Sequence, residues 1–169
     1  LSDADQACET CLASEYLDFY ESVERYYCAQ CPDNSFTDET QSNLQISIEH
    51  CACNQGYTQT AVDAACAPCD YGTYKINDLD DSACSLCSAF SALHMITAGV
   101  ASTSPGQCLC IAGYYKDDSK PDHCSECAAG KFKIDIGNLE TDCQQCGTDV
   151  YCPSPSTVET DCPGNSQAV

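Results

Sequence analysis

In "LASEYLDFYESVERYY", residues 12 to 27, the side chains of Leu12, Tyr16, Phe19, Tyr20, Val23 and Tyr27 fall at helical spacing. That is the period of one helix face, so the spacing predicts a short amphipathic helix near residues 12–27, pinned between Cys11 and Cys28. Its apolar stripe is expected to pack on the disulfides beneath it or to contact a neighbouring chain. Two other stretches alternate as strands do: "LQISIEH" (44–50) and "KFKIDIG" (131–137), the second suited to a small ribbon within its loop. Elsewhere the chain reads as short strands and turns, with little regular secondary structure.

A longer period runs beneath these local patterns. CxxC pairs begin at Cys8, Cys66 and Cys124, and a second set begins at Cys28, Cys84 and Cys143. CxC pairs begin at Cys51 and Cys108. The spacings lie between 56 and 59 residues, which marks a repeated structural unit. Other positions repeat with them: "GTYK" (72–75) with "GKFK" (130–133), and "CACNQGY" (51–57) with "CLCIAGY" (108–114). A glycine ahead of an aromatic suits a tight turn, one residue free to take positive φ and one ring to cover a nearby disulfide. The period divides the chain into unit 1 with its helical insert (1–65), unit 2 (66–123) and unit 3 (124–169). The third ends atypically, with Cys152 and Cys162 in place of the CxC.

Composition changes what can hold such units together. Leu, Ile, Val and Phe supply only 26 of 169 residues, and there is no Trp. At about 15% these residues fall below the roughly 20% expected of a chain that folds around an apolar core. Cysteine, at 18 residues, is about 11% of the chain, above the roughly 8–10% that marks a disulfide scaffold. A link closing a loop of about 15 residues removes roughly 3 kcal/mol of unfolded-state entropy in the chain model. Covalent links are therefore expected to replace much of the missing core.

The stretch "CAPCDYGTYKINDLDDSACSLC" (66–87) tests that expectation, because its two CxxC pairs also approach the spacing of a four-thiolate zinc site. Eighteen cysteines can pair fully, whereas four-thiolate sites would use sixteen and strand two. Thiolates would also add negative charge to a chain with 26 acidic and 6 basic residues, net −20. Disulfides are neutral, and the disulfide reading is preferred. "CQQCG" (143–147) is the most knuckle-like piece, but it belongs to the same repeat.

The charge excludes partners that require Lys and Arg: no nucleic acid and no anionic membrane surface is expected. No stretch approaches 18 apolar residues, so no membrane insertion is expected. The N-terminal "LSDADQACETC" carries neither initiator Met nor signal peptide and reads as a mature or internal piece. No Asn-X-Ser/Thr acceptor occurs, which leaves O-linked glycan as the modification to look for.

Catalysis has little to stand on. His50, His94 and His123 lie in different loops, and neither Gly-x-Ser-x-Gly nor HExxH occurs. A reactive thiol needs basic neighbours, which are scarce here. The chain is expected not to be an enzyme, with no catalytic, cofactor-binding or metal-ligating residues. Calcium is the one cation that the acidic loops "NDLDDS" (77–82) and "KDDSKPD" (116–122) bring to mind. The first loop lacks the EF-hand glycine and carries Ala89 at the twelfth position, so a solvated acidic loop is the better reading.

The motifs CxxC-xxGTYK, CxxC and "STSPGQCLCIAGYY" (102–115) strongly resemble the ephrin-receptor-like cysteine-rich repeat, a relative of EGF-like and TNF-receptor-like modules. The likeness covers residues 66–146 closely and 28–65 in part, and leaves the insert at 8–27 without a counterpart. "YCPSPSTVETDCPGNS" (151–166) is similar to segments that follow such repeats in large surface proteins of algae and other protists. The resemblance implies a small disulfide-rich fold of tandem units in an elongated rod, each touching mainly its neighbours, on the cell surface or outside the cell. It implies a structural role, as a spacer or a subunit of a filament or surface coat. Partners would be like domains or other proteins in a larger assembly. The alternative is a receptor or adhesin ectodomain binding a specific protein ligand.

The family's CxC-xxGY segment, similar to the last loop of an EGF module, implies the bonds Cys53–Cys66 and Cys110–Cys124. The remaining cysteines admit two schemes. A sequential ladder joins Cys11–Cys28, Cys31–Cys51, Cys69–Cys84, Cys87–Cys108 and Cys127–Cys143. An EGF-like crossing instead gives Cys69–Cys87 and Cys84–Cys108, with equivalents in unit 1. In the ladder, Cys152–Cys162 is the preferred local pair, which leaves Cys8 for a preceding unit and Cys146 for a cysteine further along a longer array; a compact end-cap pairing among Cys8, Cys146, Cys152 and Cys162 is the alternative.

Overall fold

In a computed structural model, the residues described are 11–22, 24–37, 47–61, 64–80, 82–87, 94–119 and 123–162. Cys8, Val23, residues 44–46, Asp81 and residues 120–122, all part of the sequence readings above, lie outside them. The chain forms two compact units: Leu1–Cys69 with Lys75–Cys84, and Asp70–Tyr74 with Ser85–Val169.

Among the described residues, the first unit holds three hairpins. Strands β1 (Glu15–Tyr20) and β2 (Arg25–Gln30) pair antiparallel, with Leu17 opposite Cys28 and Phe19 opposite Tyr26. Strand β3 (Ser35–Phe36) pairs with β4 (Ala52–Cys53), and β5 (Tyr57–Thr58) with β6 (Ala67–Pro68). Four disulfides close the unit: Cys11–Cys28, Cys31–Cys51, Cys53–Cys66 and Cys69–Cys84.

Among the described residues, the second unit holds five hairpins. They are β7 (Thr73–Tyr74) with β8 (Ser85–Leu86), and β9 (Met95–Thr97) with β10 (Cys108–Cys110). Strand β11 (Tyr114–Lys116) follows, with β12 (Cys124–Glu126). The last two are β13 (Lys131–Phe132) with β14 (Gln144–Gln145), and β15 (Val150–Tyr151) with β16 (Thr160–Asp161). Its disulfides are Cys87–Cys108, Cys110–Cys124, Cys127–Cys143 and Cys146–Cys152.

Three predicted elements are corrected. The segment predicted as a helix over 12–27 is the β1–β2 hairpin, and the described residues contain only three-residue 3-10 turns as helical structure. Aromatic side chains favour strands, and this segment also alternates: Tyr16, Asp18 and Tyr20 share one face, Leu17 and Phe19 the other. The cystine Cys11–Cys28 ties the start of the segment to β2, and the cross-strand aromatic pairs favour the hairpin. In "LQISIEH", Ile48–His50 is a 3-10 turn, started by Ser47, whose Oγ accepts from the Glu49 amide. In "KFKIDIG" only Lys131–Phe132 is strand, because the Lys133 side chain turns into the interior and breaks the alternation.

Cystine is the core. Of the ten buried apolar residues among those described, nine are half-cystines and the tenth is Phe132. The other fully covered groups are polar. Thr37 is 1% exposed, with its amide and Oγ1 both donating to the Ala13 carbonyl. Thr97, also 1% exposed, accepts at Oγ1 from the Gly72 amide and donates to the Gly99 carbonyl. Buried hydroxyls satisfied by backbone groups avoid the desolvation penalty that would otherwise oppose folding. The glycines ahead of the repeated aromatics take the positive φ their pattern demands: 79° at Gly56, 77° at Gly72, 82° at Gly113 and 82° at Gly130.

Candidate functional site

A buried, hydrogen-bonded lysine occurs in each of the two compact units. Lys75 is 3% exposed, yet its Nζ donates to the carbonyls of Cys53 at 3.2 Å, Tyr57 at 2.8 Å and Asp80. Lys133, 2% exposed, donates to the carbonyls of Tyr114 and Gly137. An ammonium has three donors and no acceptor, so converging carbonyl oxygens can satisfy its hydrogen bonds. Burial lowers the Lys133 pKa, while Asp142 and Asp135 oppose that shift.

Backbone bonds complete each cage in the same way. The Gly56 amide donates to the Lys75 carbonyl and the Cys69 amide to the Gly56 carbonyl. The Gly113 amide likewise donates to the Lys133 carbonyl and the Cys127 amide to the Gly113 carbonyl. Each cage sits beside a disulfide, Cys53–Cys66 in one case and Cys110–Cys124 in the other. Sequence reasoning read "GTYK" and "GKFK" for their glycine and aromatic alone. The overlooked signal was the lysine, repeated in a chain with only 6 basic residues.

The cysteines of the zinc-like stretch are separated. Cys66 is bonded to Cys53, Cys69 to Cys84 and Cys87 to Cys108. Of the "CQQCG" pair, Cys143 is bonded to Cys127 and Cys146 to Cys152. The seven bonds from Cys11 to Cys143 run in ladder order, without the crossing.

The preferred pair Cys152–Cys162 is corrected: Cys152 is bonded to Cys146, and Cys162 is a free thiol. Strand register explains why. Val150 faces Asp161 and Tyr151 faces Thr160, and the Cys162 amide donates to the Asp149 carbonyl. Extending this register places Cys152 across from Glu159, three residues from Cys162. That is about 10 Å along a strand, beyond the roughly 7 Å Cα separation a disulfide can span. The Cys146–Cys152 Cα separation is 6.4 Å.

The acidic loops use their carboxylates to hold backbone. Asp78 Oδ1 accepts from the Gln55 amide at 2.7 Å. Asp80 accepts from the Ser82 amide at 2.7 Å and the Ser82 hydroxyl at 2.8 Å, which lowers its pKa. Asp117 Oδ1 accepts from the amide and hydroxyl of Ser119. Among the described residues no group of three or more His, Cys, Asp or Glu side chains is placed to hold a metal ion. The histidines do not converge: His94 stacks on Tyr114 with ring centroids 4.0 Å apart, while the His50 ring lies 3.2 Å from the Ser47 carbonyl.

The β1–β2 hairpin is the main concentration of exposed rings. Phe19 and Tyr26 meet at 4.9 Å on one face, and Tyr20 and Tyr27 meet edge to face at 6.3 Å on the other. The Tyr27 hydroxyl donates to Asp18 Oδ2 at 2.9 Å, a bond that raises the phenol pKa.

Short hairpins stapled by cystines, with almost no other core, define a small disulfide-rich protein of the cysteine-repeat kind. The chain is similar to two curated proteins of Toxoplasma gondii. It is 35% identical over 171 residues to cysteine repeat modular protein B, an alignment covering 92% of this chain and 2% of that protein. It is 30% identical over 122 residues to cysteine repeat modular protein A, covering 64% of this chain and 4% of that protein. The chain thus spans only a few per cent of the length of the curated relatives it matches. No family model matches it.

Proposed function

We propose that this chain is an extracellular structural and interaction module: a disulfide-stapled spacer or surface-coat subunit, without catalytic activity and without a resident cofactor. The observation that carries the reading is the core itself, in which cystine sulfur takes the place of aliphatic packing. Such a core persists only where thiols stay oxidised, which favours the cell surface or the exterior. No helix among the described residues is long and apolar enough to cross a membrane. The ephrin-receptor-like resemblance supports the same role, in which Cys53–Cys66 and Cys110–Cys124 would link successive sequence repeats.

Intact mass with non-reducing peptide mapping tests the redox reading and reports any O-linked glycan. The expected result is a fully oxidised set of the sixteen paired cysteines. Many alkylatable thiols, with zinc released by a chelator, would overturn it. The structural role is tested by sedimentation in native salt with and without calcium, where a coat or filament subunit self-associates.

A receptor or adhesin ectodomain is the second reading, favoured by the exposed aromatic hairpin. It predicts a monomer that captures a protein ligand.

A further inference from the structure

Six aromatic side chains among the described residues are exposed, and four of them, Phe19, Tyr20, Tyr26 and Tyr27, stand on the distal half of one hairpin. Exposures run from 43% at Phe19 to 64% at Tyr26; aliphatic side chains such as Leu12 and Leu139 are as exposed, so it is the clustering of rings that sets the hairpin apart. The rings form two touching pairs, Phe19 with Tyr26 on one face and Tyr20 with Tyr27 on the other, and clustered exposed rings mark interaction sites more often than scattered ones do. The base of the hairpin is held rigid. Cys11–Cys28 crosses it, the Cys31 amide donates to the Ser14 carbonyl, and buried Thr37 donates to the carbonyls of Ala13 and Glu15. A surface presented this way loses little freedom when a partner binds.

Charge selects the partner. Asp18, Glu21 and Glu24 lie among the four rings and outnumber the single cation there, Arg25, which stands across from Tyr20; Glu21, Glu24 and Arg25 are exposed. A second copy of the chain would bring another net charge of −20, so self-docking here is opposed. Arginine meets both features at once. Its guanidinium stacks on Tyr and Phe faces, and its planar fork matches carboxylates. We propose that the distal half of the β1–β2 hairpin is a docking surface for an arginine-rich protein segment. The inference rests on the reading of the chain as an interaction module and names the chemistry of one partner.

The test uses the full oxidised chain and a fluorescein-labelled peptide of alternating arginine and glycine, read by anisotropy. A lysine–glycine peptide of equal charge and a glutamate–glycine peptide are the comparisons. The arginine peptide is expected to bind several-fold more tightly than the lysine peptide, and the glutamate peptide not to bind. Phe19→Ser with Tyr26→Ser should weaken binding by about tenfold. Ile134→Ser with Leu139→Ser, two exposed apolar residues of the other unit, should leave it unchanged. Glu21→Gln with Glu24→Gln removes turn carboxylates without touching a ring or a cystine, and should also weaken binding, most at low salt. An unchanged non-reducing peptide map establishes that each variant is folded. Equal binding by wild type and both hairpin variants would reduce the effect to diffuse charge and overturn the proposal. So would absence of arginine-peptide binding, or self-association that the hairpin variants abolish. These failures leave the thiol map untouched, so they are distinguishable from failure of the module reading itself.

Discussion

The ammonium of Lys75 donates to the carbonyl oxygen of Tyr57, 2.8 Å away, and Lys133 makes the same contact with Tyr114. Two charges are thus buried with backbone carbonyl dipoles turned onto them. Replacing the lysine with an apolar side chain of similar length would leave several buried carbonyls unsatisfied. Lys75→Met is expected to destabilise its unit by about 1–3 kcal/mol. The Gly56 amide, which donates to the Lys75 carbonyl, should lose hydrogen-exchange protection first. Unchanged protection at Gly56 would show that the cage contributes nothing.

The disulfides differ in what their loss should do, because each closes a different loop. Cys53–Cys66 spans 13 residues and lies beside the Lys75 cage. The double variant Cys53→Ser with Cys66→Ser is expected to cost roughly 3 kcal/mol and to open the segment around β5 and β6 to proteolysis. Limited digestion followed by mass spectrometry reads this directly. Cleavage confined to sites already cut in the wild type would contradict it.

The cysteine period was legible because spacing along the chain directly sets which loops a disulfide can close. Strand or helix was not legible for residues 12–27, where six apolar positions satisfied a helical period while the intervening residues also alternated. Short segments carry both signals, and an isolated helix of that length gains little from propensity alone. The cross-strand pairs Phe19–Tyr26 and Tyr20–Tyr27, invisible in a one-strand pattern, favour the hairpin. Lys75 and Lys133 were missed for a different reason: lysine is ordinarily a surface residue, and only the folded backbone shows the carbonyls that converge on it.

Gly113 and Gly99 make a matched pair for backbone effects. Gly113 holds φ at +82°, and an added Cβ would meet the Pro155 Cβ and the Ser156 carbonyl oxygen at 3.4 Å. Gly99 has open space and no positive φ. Gly113→Ala is expected to destabilise by about 1–2 kcal/mol, and Gly99→Ala to stay within about 0.5 kcal/mol of wild type. Thermal unfolding with disulfides intact compares them, and equal melting temperatures would count against the turn argument.

Asp80 offers a pH test with a definite sign. Its carboxylate is stabilised by the Ser82 hydroxyl first and the Ser82 amide second, so its folded pKa lies below the ordinary 3.8. Between those two values the unfolded chain binds more protons, and stability rises with pH. The contribution is therefore fully present above the ordinary value and is lost as pH falls through the depressed one. Ser82→Ala should move the Asp80 titration upward in a carboxyl-carbon NMR experiment. Titration at the same pH in both proteins would remove Ser82 as the cause.

Cys162 separates the two pairings of the last loop. The amide of Cys162 donates to the Asp149 carbonyl, so β16 carries its sulfur past the turn that joins Cys146 to Cys152. With intermediate exposure and no disulfide partner among the described residues, Cys162 should react with iodoacetamide in the native, unreduced protein. Proteolysis should then yield a singly alkylated Cys162 peptide, together with a linked peptide containing Cys146 and Cys152. The opposite pattern, Cys146 alkylated and Cys152 linked to Cys162, would require β15 and β16 to shift by about three residues. Such a shift would break the Val150–Asp161 and Tyr151–Thr160 pairs, so the labelling result also reports the register of that hairpin.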